Sequence, residues 1–453
     1  MKKFFSGVIV LMLALNFVSA FGTEAKAVRA VYVERGITET IYDNDNSNIA
    51  TRRMIVAPTM GYISQDASGN FQKIHVVSLE KTTLGAPQVF SFKHNGNTRI
   101  LMGENGRALE FESLDLSSRL PEGRISVYKP SDLTKSLASK YLTTTGVSRI
   151  PIEISDVSEY GNNIIIGGEG GFAGILEVNP ETCEIVDHYN EGNFVASETA
   201  VKGSSIYVAT INPPGGGTDK LIRMDGLGNI KETHYGDDIY YNDIKVINGE
   251  VYVSVSYESK MDIGLYKIRE KLEIPSAEKI TQDAVREFCD DGNGGLFYTK
   301  IKLNRSSGGF PYETYSLCHW DGTDIFDIGL SMDVGNIYYD VNSRKLFAWN
   351  NGASDYEVTT IFIYDVSGEG EEMKVIEAQK IEGRFKSCAF FEDEKGEEPI
   401  VKPEPQPDSP DETSKDSENK SETLGPSSGT CSTGFGILGL AVLGAALMFK
   451  RSK

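Results

Sequence analysis

An all-β body assembled from repeated four-stranded units is the fold class the sequence predicts. Three observations predict it. Short alternating or β-branched runs bounded by Gly, Asn and Asp fill residues 28–391, and hardly any stretch keeps the 3.6-residue apolar period of a helix. A single phrase recurs: a semi-apolar strand, a Gly/Asn turn, then a strongly β-prone strand. Those second strands start at intervals of 42, 45, 45 and 50 residues.

The turns of the phrase are Tyr160-Gly161-Asn162-Asn163, Lys202-Gly203-Ser204-Ser205, Asn248-Gly249-Glu250, Asp291-Gly292-Asn293-Gly294 and Val341-Asn342-Ser343. They lead into Ile164-Ile165-Ile166, Ile206-Tyr207-Val208, Val251-Tyr252-Val253, Leu296-Phe297-Tyr298 and Leu346-Phe347-Ala348-Trp349. A gap of variable length then precedes a third strand, such as Gly174 to Val178 or Lys220 to Met224. A weaker outer strand follows, such as Glu184 to Tyr189 or Ile230 to Tyr235. Four strands in about 45 residues is the blade pattern of a β-propeller. A lone four-stranded sheet leaves both faces wet, and radial stacking buries each blade against the next.

Upstream, His94-Asn95-Gly96-Asn97 and Arg99-Ile100-Leu101-Met102 form an earlier copy, followed by an insertion that includes Asp115 to Pro121. Gly61-Tyr62-Ile63, Ile74-His75-Val76-Val77, Val28 to Val33 and Ile37 to Tyr42 supply degenerate strands before it. Lys386-Ser387-Cys388-Ala389-Phe390-Phe391 resembles a first blade strand, and is expected to join a blade built from the N-terminal strands. Seven blades are predicted, at roughly 52 residues each, with eight at about 45 as the alternative count. Lys129 to Tyr141 is the one helix candidate. A β-sandwich pair is the competing architecture.

The ends read differently. Lys2 and Lys3, the apolar run Phe4 to Val18 and Val18-Ser19-Ala20 make residues 1–20 a secretory signal peptide. Residues 392–430 are acidic, with Pro399, Pro403, Pro405, Pro407 and Pro410, a composition that cannot bury enough apolar area to order itself and reads as a disordered stalk. Residues 431–453 join Cys431 to the uncharged segment Phe435 to Phe449 and to Lys450, Arg451 and Lys453, which predicts a short hydrophobic, transmembrane-type helix with its basic end inside the cell.

Ser428-Gly429-Thr430-Cys431-Ser432-Thr433-Gly434-Phe435-Gly436, the Leu/Ala/Gly stretch and Lys450-Arg451-Ser452-Lys453 together resemble a bacterial C-terminal protein-sorting domain of the Synergist-CTERM type. The resemblance implies sorting machinery as a partner, display at the cell envelope and Cys431 as the modification site. It covers about the last 27 residues, and Ser432 stands where such motifs more often carry Asn.

With 65 acidic against 45 basic residues, the formal charge is -20, which argues against a nucleic-acid partner. Cys183, Cys289, Cys318 and Cys388 lie in the body without a Cys-x-x-Cys, and simple thiols are expected. Gly-x-Ser-x-Gly, His-Glu-x-x-His and a P-loop are all missing. Gly167-Gly168-Glu169-Gly170-Gly171 is read as a hairpin loop. His188 and His234 occupy corresponding outer-strand positions and read as repeated packing.

Two groups of residues are candidate sites. Asp43 and Asp45 start an oxygen-rich run suited to calcium, although Asn48 and Met54 replace the Gly and Glu of a full calcium loop, so a polar turn is the competing reading. Glu153, Asp156, Glu198, Asp243, Glu287 and Asp290 fall on or beside first strands, which line a propeller channel. If they converge, they bind a cation or a polar ligand. The leading functional reading is a periplasmic or cell-surface binding module for a surface protein or a polar small molecule. An exported propeller enzyme (hydrolase, lyase or quinone-dependent dehydrogenase) and a structural envelope protein are the alternatives.

Overall fold

The structure is a computed structural model. It describes residues 28–42, 50–66, 68–79, 87–104, 124–141, 152–170, 174–189, 195–211, 219–236, 239–258, 263–269, 271–272, 277–305, 311–351 and 357–392. The stretches 1–27 and 393–453, with the signal, stalk and sorting-tail expectations, lie outside the described residues, as do Asp43, Asp45 and Cys431.

Thirty strands are described, in chain order. The first group is β1 (Val28–Glu34), β2 (Ile37–Tyr42), β3 (Ala50–Val56), β4 (Thr59–Gln65) and β5 (Phe71–Ser78). Next come β6 (Gln88–His94), β7 (Asn97–Glu104), β8 (Arg124–Lys129) and β9 (Asp132–Tyr141), then β10 (Ile152–Tyr160), β11 (Asn163–Gly170), β12 (Gly174–Asn179) and β13 (Glu184–Tyr189). They are followed by β14 (Val195–Lys202), β15 (Ser205–Ile211), β16 (Asp219–Asp225) and β17 (Ile230–Gly236), and by β18 (Ile239–Ile247), β19 (Glu250–Glu258), β20 (Gly264–Ile268) and β21 (Glu278–Thr281). The last are β22 (Val285–Asp290), β23 (Leu296–Arg305), β24 (Pro311–Trp320) and β25 (Ile325–Met332), then β26 (Asn336–Asp340), β27 (Lys345–Trp349), β28 (Thr359–Ser367), β29 (Lys374–Gly383) and β30 (Phe385–Glu392).

They form seven four-stranded antiparallel sheets, the blades of a seven-bladed β-propeller. Blades 2 to 7 are β6–β9, β10–β13, β14–β17, β18–β21, β22–β25 and β26–β29, each in simple chain order. Blade 1 has the order β30-β1-β4-β5, so the C-terminal strand supplies its innermost position, as expected for residues 386–391. Val28 pairs with Glu392 and Tyr32 with Cys388. The β2–β3 hairpin is an insertion between the second and third strands of this blade.

The apolar second strands are explained by their place. A strand between two blades is buried on both faces, so alternation sends successive side chains to opposite neighbours. Ile164 and Ile166 pack against blade 2, whereas Ile165 packs against blade 4. Val251, Val253 and Val255 join blade 4, and Tyr252 joins blade 6. Seven apolar clusters fill the seven interfaces. The closing one, between blades 7 and 1, combines Phe347, Ile361 and Ile363 with Tyr32, Phe71 and Phe390. There Tyr338 stacks on Phe390, and the Gln379 amide bonds both the N–H and the carbonyl of Phe71, linking the two outer strands.

Two expectations are corrected. Residues 132–141 are strand β9, not helix: Leu133 is buried while the following residues alternate toward solvent along the pairing with β8, and Asp132 accepts bonds from the Thr134 N–H and hydroxyl at its start. The transmembrane helix also fails. No helix among the described residues is long and apolar enough to cross a membrane, the regular structure there being strand apart from the single turn Gly370–Glu372. The segment 435–449 on which that expectation rested lies outside the described residues.

Candidate ligand site on the inner strands

The innermost strands of neighbouring blades touch one another around the ring, as in β6–β10, β10–β14, β14–β18, β18–β22 and β22–β26. On β10, β14, β18 and β22 the pairing with the second strand shifts register at one recurring place. The shift falls between Ile154 and Asp156, Ala196 and Glu198, Tyr241 and Asp243, and Val285 and Phe288. A bulge of this kind leaves one residue unpaired and re-aims its neighbours. In three blades it lies immediately before an acid, and in blade 6 it spans Glu287. The repeat therefore delivers four carboxylates, Asp156, Glu198, Asp243 and Glu287, from consecutive blades.

These four feel one another and one cation, Lys245. The Lys245 ammonium donates to Asp243 Oδ2 at 2.8 Å, to Glu287 Oε1 and to the Phe288 carbonyl at 2.9 Å. It lies 5.2 Å from the centre of the Phe288 ring. Blade 5 is thereby tied to blade 6. Asp156 Oδ2 accepts from the Thr199 N–H and hydroxyl, both at 2.8 Å, tying blade 3 to blade 4. Ser158 plays the lysine's bridging part there, donating to the Thr199 carbonyl at 3.0 Å. The unpaired bulge residues stitch as well: Ser155 donates to the Ala196 carbonyl, and Asn242 to the Val285 carbonyl at 2.7 Å. Gly167, opposite Asp156, keeps this seam open, since a Cβ there would stand 2.9 Å from Ser155 Oγ and 3.3 Å from Thr199 Cγ2.

Glu198 differs from its three neighbours. Among the described residues no group hydrogen-bonds to its carboxylate, and two residues on, where Ser158 and Lys245 stand in blades 3 and 5, blade 4 has Ala200. Burial pushes the Glu198 carboxyl well above its ordinary range, and Asp156, Asp243 and Glu287 push it further, against the pull of Lys245. Asp243 is pushed up to about 8, first by burial and then by Glu287. Burial also raises Asp156, opposed by its bonds from Thr199. For Lys245 burial acts downward, but Asp243 and Glu287 outweigh it and hold the ammonium charged. Like charges brought together out of water favour the proton-holding form, and an opposite charge favours the ionised one.

Of the six acids expected on first strands, the structure brings four together. Asp290 stands at the turn instead, accepting from the Gly292 N–H at 3.0 Å and from Asn248. Glu153 is on β10, its backbone opposite Glu169, and its side chain lies outside what the structure describes. Lys245 was not foreseen, although its position two residues after Asp243 on one strand places both on the same face. No group of three or more His, Cys, Asp or Glu among the described residues is arranged to hold a metal ion.

Elsewhere, His188 and His234 occupy outer strands β13 and β17, and His234 Nδ1 lies 2.7 Å from the Tyr241 hydroxyl in the next blade. His319 forms a buried pair with Asp291 at 2.9 Å, flanked by Phe297 and Phe326. Asp291 also receives the Asn293 and Gly295 N–H groups, a turn-fixing role. Cys183, Cys289, Cys318 and Cys388 are free thiols.

No protein-family model matches the chain, and no curated protein matches it. Solved structures of similar architecture include the computationally designed Ika8 protein, at 11% identity, covering 70% of this chain and 93% of that one, with a TM-score of 0.38. The WD40 domain of Neurospora crassa Pan2 is 9% identical, with 64% and 79% covered and a TM-score of 0.38. The C-terminal WD40 domain of Sif2 is 12% identical, with 81% and 89% covered and a TM-score of 0.40. The blade count rests on the strand pairing above.

Proposed function

We propose that this chain is an exported binding module whose propeller channel recognises a ligand bearing an ammonium or guanidinium group. One observation carries the reading: the carboxylates of blades 5 and 6 already hold an ammonium, that of Lys245, while Glu198 in blade 4 receives no hydrogen bond among the described residues. At the place equivalent to Lys245, blade 4 offers only the methyl group of Ala200. Ala200 is buried in the apolar cluster between blades 4 and 5, so an incoming amine would reach Glu198 from its partly exposed side. The acidic composition attracts cations toward such a site. Export is supported by residues 1–20, and retention at the envelope by the sorting-type motif around Cys431.

The test is equilibrium binding of spermidine and of a lysine-rich peptide to the full-length chain. The wild type is expected to bind in a salt-sensitive way, more tightly at pH 9 than at pH 6 because Glu198 must give up its proton to pair with an ammonium, and Glu198→Gln to weaken binding at pH 9 at least tenfold. Equal binding by both proteins, or none by the wild type, contradicts the reading.

A further inference from the structure

We infer that the carboxylate–lysine cluster of blades 3 to 6 is a proton-operated switch, in which rising pH charges the channel wall and loosens the inner ring. It uses the same residues as the proposed binding site but needs no ligand. The geometry is an imbalance: Asp156 on β10, Glu198 on β14, Asp243 on β18 and Glu287 on β22 come from consecutive inner strands that touch around the ring, and the one lysine among them, Lys245, bonds only Asp243 and Glu287 of the four. The second strands of blades 3 to 5 place no charge opposite these acids, with Gly167 opposite Asp156, Ala209 opposite Glu198 and Ser254 opposite Asp243; in blade 6, β23 brings Lys300 opposite Val285, where it pairs with Asp283. Cys289 on β22 also lies near Lys245, and burial pushes its thiol up to about 12, so it stays neutral. Fully ionised, the cluster would carry three more negative charges than the lysine offsets.

The sign follows from proton linkage. Asp156, Glu198 and Asp243 have raised affinity for protons in the folded chain, so between their unfolded value near 4 and their folded one the native state holds more protons. Their contribution to stability is fully present at acid pH and is lost as pH rises through neutrality toward about 8, where Asp243 titrates. Each extra proton held makes the folding equilibrium constant fall about tenfold per pH unit. The amide of Gln copies a protonated carboxyl and cannot ionise, so Glu198→Gln should lock its position in the low-pH state.

The experiment measures proton release on unfolding at pH 7, by calorimetry in two buffers of different ionisation heat, together with thermal midpoints from pH 5 to 9. The full-length chain is compared with Glu198→Gln, Asp243→Asn and the exposed control Glu371→Gln. Glu198→Gln is expected to release fewer protons than the wild type and to lose less stability between pH 5 and 8. Asp243→Asn should shift both readouts in the same direction, which covers the case that one variant fails to fold. Undiminished proton release by both cluster variants, or an equal change in the Glu371→Gln control, overturns the switch. Because no amine is present, that failure is distinct from failure of the binding reading.

Discussion

Replacing Lys245 with methionine keeps most of the apolar stem and deletes the charge. The variant loses the bonds to Asp243, Glu287 and the Phe288 carbonyl, and leaves the acids of blades 5 and 6 facing each other. Removing one partner of a buried pair costs about 3–5 kcal/mol. The Lys245 side chain is 35% exposed, so water screens part of that loss. About 2–3 kcal/mol is therefore expected at pH 7. Domains of 150–250 residues shift by about 2–4 °C per kcal/mol, and a larger body shifts less, which leaves a fall of several degrees. Thermal unfolding followed by circular dichroism at pH 5 and pH 8 is the assay. Protonated carboxyls need no counter-charge, so the K245M penalty should be larger at pH 8 than at pH 5. An equal penalty at both, or a larger one at pH 5, would refute the electrostatic reasoning and reduce Lys245 to packing.

Three other outcomes follow from the same structure. A chain ending before Phe385 loses the inner strand of blade 1 and should give no cooperative unfolding transition, whereas one ending after Glu392 should keep it. Phe347→Ala empties the blade 7–1 interface beside Phe71, Tyr338 and Phe390, and should cost about 3–5 kcal/mol in denaturant unfolding. Asp291→Asn breaks the His319 pair; that pair and the Asn293 and Gly295 N–H groups outweigh burial and hold the Asp291 carboxyl below its ordinary range. The stability it confers is present above the unfolded carboxyl value and lost as pH falls through the folded one. The gap between wild type and variant should therefore shrink below about pH 4.

Much of the fold was legible because the repeat writes itself into turns. Tyr160-Gly161 and Asn248-Gly249 need left-handed backbone, with φ of 58° at Gly161 and 51° and 73° at Asn248 and Gly249, so the Gly/Asn punctuation was physically required. The closing strand was legible too, since residues 386–391 carry a first-strand pattern with no following partners in sequence. The β9 error arose from Lys135, Ser136, Leu137 and Ala138, which suit a helix locally, whereas pairing with β8 decides the outcome. The acids of the site could be placed on inner strands by counting. Their convergence could not, because it depends on bulges that turn Asp156, Glu198 and Asp243, and bulges leave no composition signature. Lys245 was hidden for the same reason: its partner Glu287 is one whole blade away in sequence.

The central claim is that blades 3 to 6 form a carboxylate site able to take an amine beside Glu198. A crystal structure of the full-length chain grown with spermidine tests it most directly. The account predicts an amine nitrogen within hydrogen-bond distance of the Glu198 carboxylate, with Lys245 still bridging Asp243 and Glu287. A Glu198 paired to a donor of its own chain, with no amine beside it, would contradict the account.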